Sequence, residues 1–78
     1  MTTVDARGLA CPLPLTLARG KMGELEDGDV LVVLATDPEA PIDLAAWAAD
    51  EGHAFAEREA GGWAELTLTK GGRTSMEQ

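Results

Sequence analysis

The sequence predicts an α+β fold: a two-layer α/β sandwich in the order β-α-β-α-β-β, with two helices on one face of a mixed four-stranded sheet. Three observations predict it. First, "TTVDA" (Thr2–Ala6) and "VLVVLA" (Val30–Ala35) are short β-branched or apolar runs, and each is followed by a proline-opened segment of helical periodicity. Second, the last third of the chain alternates with period two on both sides of "AGG", which reads as an antiparallel hairpin. Third, two helices suffice to cover one sheet face and not both. The 78 residues fit one domain, expected over residues 1–70, with 71–78 as a flexible polar tail.

Thr2–Ala6 suits an edge strand, being short and β-branched. Arg7 and Gly8 then lead to a helix predicted from about Pro12 to Leu25. Pro12 fits the first helical position, where a missing N–H costs nothing and φ is already set. Pro14 still falls in the first turn. Leu15, Ala18, Met22 and Leu25 recur at spacings of three and four and predict one buried stripe. Gly20 within it costs about 1 kcal/mol relative to alanine.

"EDGD" (Glu26–Asp29) is a turn, and Val30–Ala35 is apolar without interruption. Such a run predicts a strand in the sheet centre, buried on both faces or nearly so. "TDPEAP" (Thr36–Pro41) opens the second helix, with Leu44, Trp47, Ala48 and Glu51 along one side and Gly52 as its left-handed stop. His53–Glu59 and Trp63–Lys70 form the hairpin. Ala64, Leu66 and Leu68 face one way in it, and Glu65, Thr67 and Thr69 the other. The first two strands, joined through a helix, should be parallel.

Only three residues are aromatic, so leucine, valine and alanine must supply most of the core. The net charge of −8 repels phosphate backbones and argues against direct nucleic-acid binding. It suits a partner with a basic docking face, and equally serves solubility. No run is long enough to span a membrane. The first residues lack an apolar signal core, and a single cysteine forms no internal disulfide, so the expected location is the reducing cytoplasm.

That cysteine, Cys11, stands in "GLACPLPL" directly before two prolines at a predicted helix start. Free N–H groups and the positive end of the helix dipole favour an anion there, and the thiolate is the nucleophilic form of cysteine. Such positions lower a thiol pKa from ~8.5 into roughly the 3.5–7.5 range. The overall acidity works the other way. Pro12 and Pro14 supply no competing N–H and stiffen the turn beneath the sulfur. Arg7 is the only base close by in sequence, because Arg19 lies ~12 Å along the helix at 1.5 Å per residue. A small buried residue that happens to be cysteine is the inert alternative.

Absent partners narrow the chemistry. No second cysteine resolves a disulfide, so a dithiol redox cycle is excluded. One cysteine and one histidine are too few for a metal site, and no metal is expected. His53 reads as a strand-starting or capping residue, with a Cys–His pair as the alternative. No phosphate loop is present; "AGG" and "KGG" read as a hairpin turn and a strand exit.

With its Cys11-Pro12-Leu13-Pro14 motif after "DARGLA", the sequence resembles the TusA-like (SirA-like) sulfur-carrier proteins, which carry C-P-x-P at the start of the first helix. The resemblance extends through "LEDGDVLVVLATDPEAPIDLAAWAADEGH" and covers about Val4 to Lys70. It departs at Gly20, where many members carry a base; here Lys21 follows it. The resemblance implies the same β-α-β-α-β-β sandwich. It implies that Cys11 carries sulfane sulfur as a persulfide, with no other cofactor. It also implies a donor protein, either a cysteine desulfurase or a rhodanese-like sulfurtransferase, and an acceptor protein, with the carrier itself a monomer. Pro12 and Pro14 then mount the sulfur, Arg7 offers charge support, and Asp37 and Pro38 rim the site. A non-catalytic regulatory or protein-interaction domain of the same fold is the alternative. RNA binding, suggested by a fold shared with a translation initiation factor domain, is opposed by the acidity.

Overall fold

The computed structural model describes residues 2–71. Its elements are β1 (Thr2–Ala6), α1 (Leu13–Met22), β2 (Val30–Ala35), α2 (Ala40–Glu51), β3 (Ala54–Glu59) and β4 (Ala64–Thr69). The four strands form one sheet in the order β1-β2-β4-β3. β1 runs parallel to β2, with Val4 opposite Val33, and β4 inserts between β2 and β3, antiparallel to both. α1 packs over β1 and β2, α2 packs over β3 and β4, and the helices touch each other. This is the α+β sandwich that the sequence predicts, with β1 at an edge.

The core lies between sheet and helices. Ala6, Leu31, Val33, Ala35, Leu66 and Leu68 face it from the strands, and Ala18, Met22, Ala40, Leu44 and Ala48 from the helices. The alternation in β4 is therefore as read, with Leu66 and Leu68 inward. β2 differs from expectation. Leu31, Val33 and Ala35 are buried, but Val30, Val32 and Leu34 are only half-buried. With a single helical layer, their cover comes from cross-strand neighbours: Thr69, Thr67 and Glu65 of β4 stand opposite them. A central strand reads as doubly buried because its apolar residues on the open face still lose water to neighbouring side chains.

Helix α1 is shorter than predicted. Pro12 is its N-cap, at φ −102° and ψ 20°, rather than a helical residue, and Gly23 caps the other end. Residues beyond Met22 form a tight turn, in which Glu24 N–H donates to Lys21 O at 3.0 Å and Leu25 N–H to Met22 O at 3.1 Å. The Lys70 ammonium donates to the Met22 and Leu25 carbonyls, at 3.1 and 2.5 Å. That supplies the orphan acceptors every helix end leaves. The buried stripe is Pro14, Ala18 and Met22, with Leu15 and Leu25 packed at its margin. Pro14 joins the stripe because it lies four residues before Ala18, as Ala18 does before Met22, while Leu15 falls at the edge of that face.

In α2 the buried residues are Ala40, Leu44 and Ala48, while Trp47 is half-buried and Glu51 exposed. Gly52 ends it at φ +80°, the left-handed conformation a residue with a Cβ resists. No described helix is long and apolar enough to cross a membrane. Of the predicted tail 71–78, residues 72–78 lie outside the described residues.

Candidate functional site

Because β1 and β2 are parallel, the loops that follow them emerge at the same end of the sheet. Side chains of the second loop tie down the first. Gly8 N–H, at φ +83°, donates to Thr36 Oγ1 at 2.8 Å, and Cys11 N–H donates to Asp37 Oδ2 at 2.9 Å. Asp37 Oδ1 accepts from Glu39 N–H at 2.7 Å, so one carboxylate organises both loops. The two N–H donors hold the Asp37 carboxyl below its usual range, Glu39's bond being the larger effect.

Cys11 is a free, half-buried thiol at this junction. Its Sγ donates to Oδ2 of Asp43, in the first turn of α2. That bond is the main reason its pKa is pushed up to about 11; desolvation and the negative charges of Asp43, Asp37 and Glu39 add to it. Of the two opposing influences read from the sequence, the helix start and the surrounding acidity, the acidic groups dominate at this sulfur. The first turn has little to offer the sulfur: Pro12 and Pro14 have no N–H, and Leu13 N–H donates to Ala10 O at 2.9 Å. The first bond within the helix is Thr16 N–H to Pro12 O, at 2.9 Å. The prolines that stiffen the turn also strip it of donors, and the neighbouring carboxylates win.

The other predicted residues are placed as follows. Pro14 is buried beneath the turn and Pro12 is exposed at its start. Pro38 is exposed and lines, with Asp37, Pro41 and Trp63, a shallow cavity of about 220 Å³. Arg7 does not give Cys11 charge support. Its guanidinium is paired with Asp5 at 2.8 and 2.9 Å and lies over the Trp63 ring, 4.8 Å from the centroid. This pairing, through the hydrogen bonds first, holds the Asp5 carboxyl down at about 2. His53 is not near a Cys–His arrangement: its Nδ1 accepts from Gly71 N–H at 3.0 Å, and its ring meets Trp47 edge-on at 5.4 Å.

Asp43 is the site residue that motif reading misses. Its one signal in the sequence is an acid in the first turn of a helix starting at the same sheet end as Cys11, which also suits an ordinary dipole partner. Leu13 and Leu17, a turn apart on α1, and Ile42, beside Asp43, are exposed at 48, 42 and 66%. No group of three or more His, Cys, Asp or Glu placed to hold a metal occurs among the described residues.

Comparison with known proteins places this arrangement in context. The family described as Sulfurtransferase TusA matches residues 2–70. The chain is 42% identical over 68 residues to the sulfur carrier protein TusA of Allochromatium vinosum, covering 86% of this chain and 90% of that one. It is 43% identical over 77 residues to YrkF of Bacillus subtilis, where it spans 95% of its own length but 40% of the relative's. The crystal structure of a SirA-like protein from Desulfitobacterium hafniense superposes with a TM-score of 0.83 at 32% identity, covering 91% of this chain and 99% of the other. With its C-P-x-P turn, its sheet order and these relatives, the chain belongs to the TusA-like family.

Proposed function

We propose that the protein is a sulfur carrier in which Cys11 holds sulfane sulfur as a persulfide between a donor and an acceptor protein. The observation that carries the reading is the mounting of Cys11: a single, half-buried thiol on a turn fixed by Pro14 from below and by Asp37 through its backbone N–H. In loading, Cys11 Sγ attacks the outer sulfur of a donor persulfide, a new S–S bond forms on Cys11, and the donor's own S–S bond breaks. The donor sulfur departs with the electron pair and takes up a proton. Thiol plus persulfide gives persulfide plus thiol, so no net oxidant is needed. Unloading repeats the exchange on an acceptor. A lone cysteine suits this relay, because an internal second thiol would intercept the sulfur.

Donors of the cysteine desulfurase or rhodanese-like class, a monomeric carrier and a reducing cytoplasmic setting complete the proposal. Intact-mass measurement after incubation with a persulfide donor tests it. The protein should gain one sulfur atom, lose it to a thiol reductant, and gain none as Cys11→Ser. Equal loading of Cys11→Ser, or no loading of the wild type by any competent donor, contradicts it and favours a non-catalytic interaction domain.

A further inference from the structure

We infer that Asp43 determines partner specificity in this exchange: it retains the Cys11 proton in the free protein and releases its hold when a docking protein presents a cationic side chain beside its reacting sulfur. The reaction concerned rests on the carrier reading; the geometry does not. Asp43 Oδ2 accepts the thiol proton directly. Asp37 does not take that part: its two oxygens accept the N–H groups of Cys11 and Glu39, and the thiol donates to Asp43 instead. Asp43, unlike Asp5, forms no ion pair among the described residues, so no internal cation draws it from the sulfur. The charged groups acting on Cys11 are Asp43 of α2 and Asp37 and Glu39 of the loop before it, all acidic, while Arg7 of the β1–α1 loop is committed to Asp5.

The surroundings define the partner's chemistry. Leu13 and Leu17 of α1 and Ile42, next in sequence to Asp43 on α2, are exposed and offer apolar contact on the two helices that meet at the sulfur. A complementary surface therefore sets a lysine or arginine among apolar side chains. Once that cation pairs with Asp43, the Sγ–Asp43 bond breaks and the thiol proton passes to solvent, from which the departing donor sulfur later takes one up. Sγ is then the attacking thiolate. A neutral or anionic donor leaves the bond intact and meets a protonated thiol. Free persulfides and electrophiles are thereby turned away without any steric barrier.

The test needs no persulfide. Alkylation of Cys11 by neutral iodoacetamide is followed across pH in the wild type and in Asp43→Asn. The wild-type midpoint should lie near 11 and that of the variant clearly lower, though still above the ordinary ~8.5 because desolvation, Asp37 and Glu39 remain. Each pKa unit of that drop raises the thiolate fraction at neutral pH about tenfold, and with a nucleophilicity exponent of about 0.4–0.5 the net rate rises roughly three- to fourfold per unit. In a second arm, disulfide exchange is timed with dicationic cystamine and dianionic dithiodiglycolate. The wild type should prefer cystamine by about tenfold or more, a preference that falls with added salt, and Asp43→Asn should lose most of it. Should Asp43→Asn fail to fold, Asp43→Ser and the salt dependence of the wild type give the same readout.

A wild-type midpoint near 8.5, or rates and preferences shared by wild type and variant, overturns the role of Asp43 even if sulfur loading is normal. Absent sulfur loading with the predicted rates intact overturns the carrier reading alone.

Discussion

The two ends of the helix pair differ in what their polar groups are committed to. Where the helices end, the Lys70 ammonium serves the Met22 and Leu25 carbonyls, His53 accepts from Gly71, and Gly52 closes α2 in a left-handed cap. Acceptors and donors there are used within the chain. Where the helices begin, α1 has one proline at its N-cap and another in its first turn, and Asp43 meets a thiol and forms no ion pair among the described residues. One end satisfies the orphan groups of its helices and so supports stability. The other leaves a carboxylate bonded to a thiol, the pair that the proposed exchange would use, a difference visible only when hydrogen bonds are followed atom by atom.

That contrast breaks most readily at the closed end. Lys70→Met removes a charged donor from two carbonyls and should lower stability by about 1.5–3 kcal/mol, the usual range for hydrogen bonds to charged groups. Chemical denaturation measures it. The Cys11 alkylation midpoint should not move, since Lys70 and Cys11 sit at opposite ends of α1. A shifted midpoint would mean that the two ends are coupled through the helix.

Pro14→Ala probes the open end. The alanine variant should stay folded and lose roughly 0.4–1 kcal/mol through the freer unfolded chain, with some further loss because Pro14 is buried. Persulfide transfer should slow by a larger factor than that loss suggests, because a small displacement of a reacting atom is costly to rate. Circular dichroism melting beside transfer kinetics separates the two effects. Unchanged transfer would reduce the second proline to a helix-start preference.

A smaller effect follows from titration. The thiol pKa of Cys11 is raised by folding, so its contribution to stability is complete below the unfolded value of ~8.5 and disappears as pH climbs through about 11. Melting temperatures of wild type and Cys11→Ala should converge or cross over that interval. Asp37 behaves oppositely: its carboxyl is lowered, so its contribution holds above the ordinary 3.8 and is lost as pH falls through the lower folded value. Asp37→Asn should flatten the acid side of the profile, and parallel curves across both intervals would contradict the site's electrostatics.

Much of this architecture was legible in the sequence because pattern and burial share a period. Leu66 and Leu68 alternate with Glu65, Thr67 and Thr69, and the structure buries the first set. Gly52 announces a left-handed stop and supplies one. The apolar run of β2 misleads for a physical reason: half-burial against cross-strand neighbours selects the same residues as full burial. Cys11 and its prolines stand out as a motif, whereas Asp43 lies 32 positions away and meets the sulfur only through the packing of α2 beside α1. Arg7 shows the converse. Proximity in sequence suggested support for Cys11, but Asp5, two residues back, offers a bidentate partner at lower cost in side-chain ordering.

The relay itself is tested most directly by following one sulfur atom through the protein. Wild-type protein is loaded from a persulfide donor, freed of it, and mixed with an acceptor thiol while intact mass and the Cys11 peptide are read over time. The account predicts that one sulfur appears on Cys11, leaves at the rate at which the acceptor gains it, and is absent throughout in Cys11→Ser. Sulfur on Cys11 that no acceptor can remove, or transfer that proceeds equally well without Cys11, would contradict it.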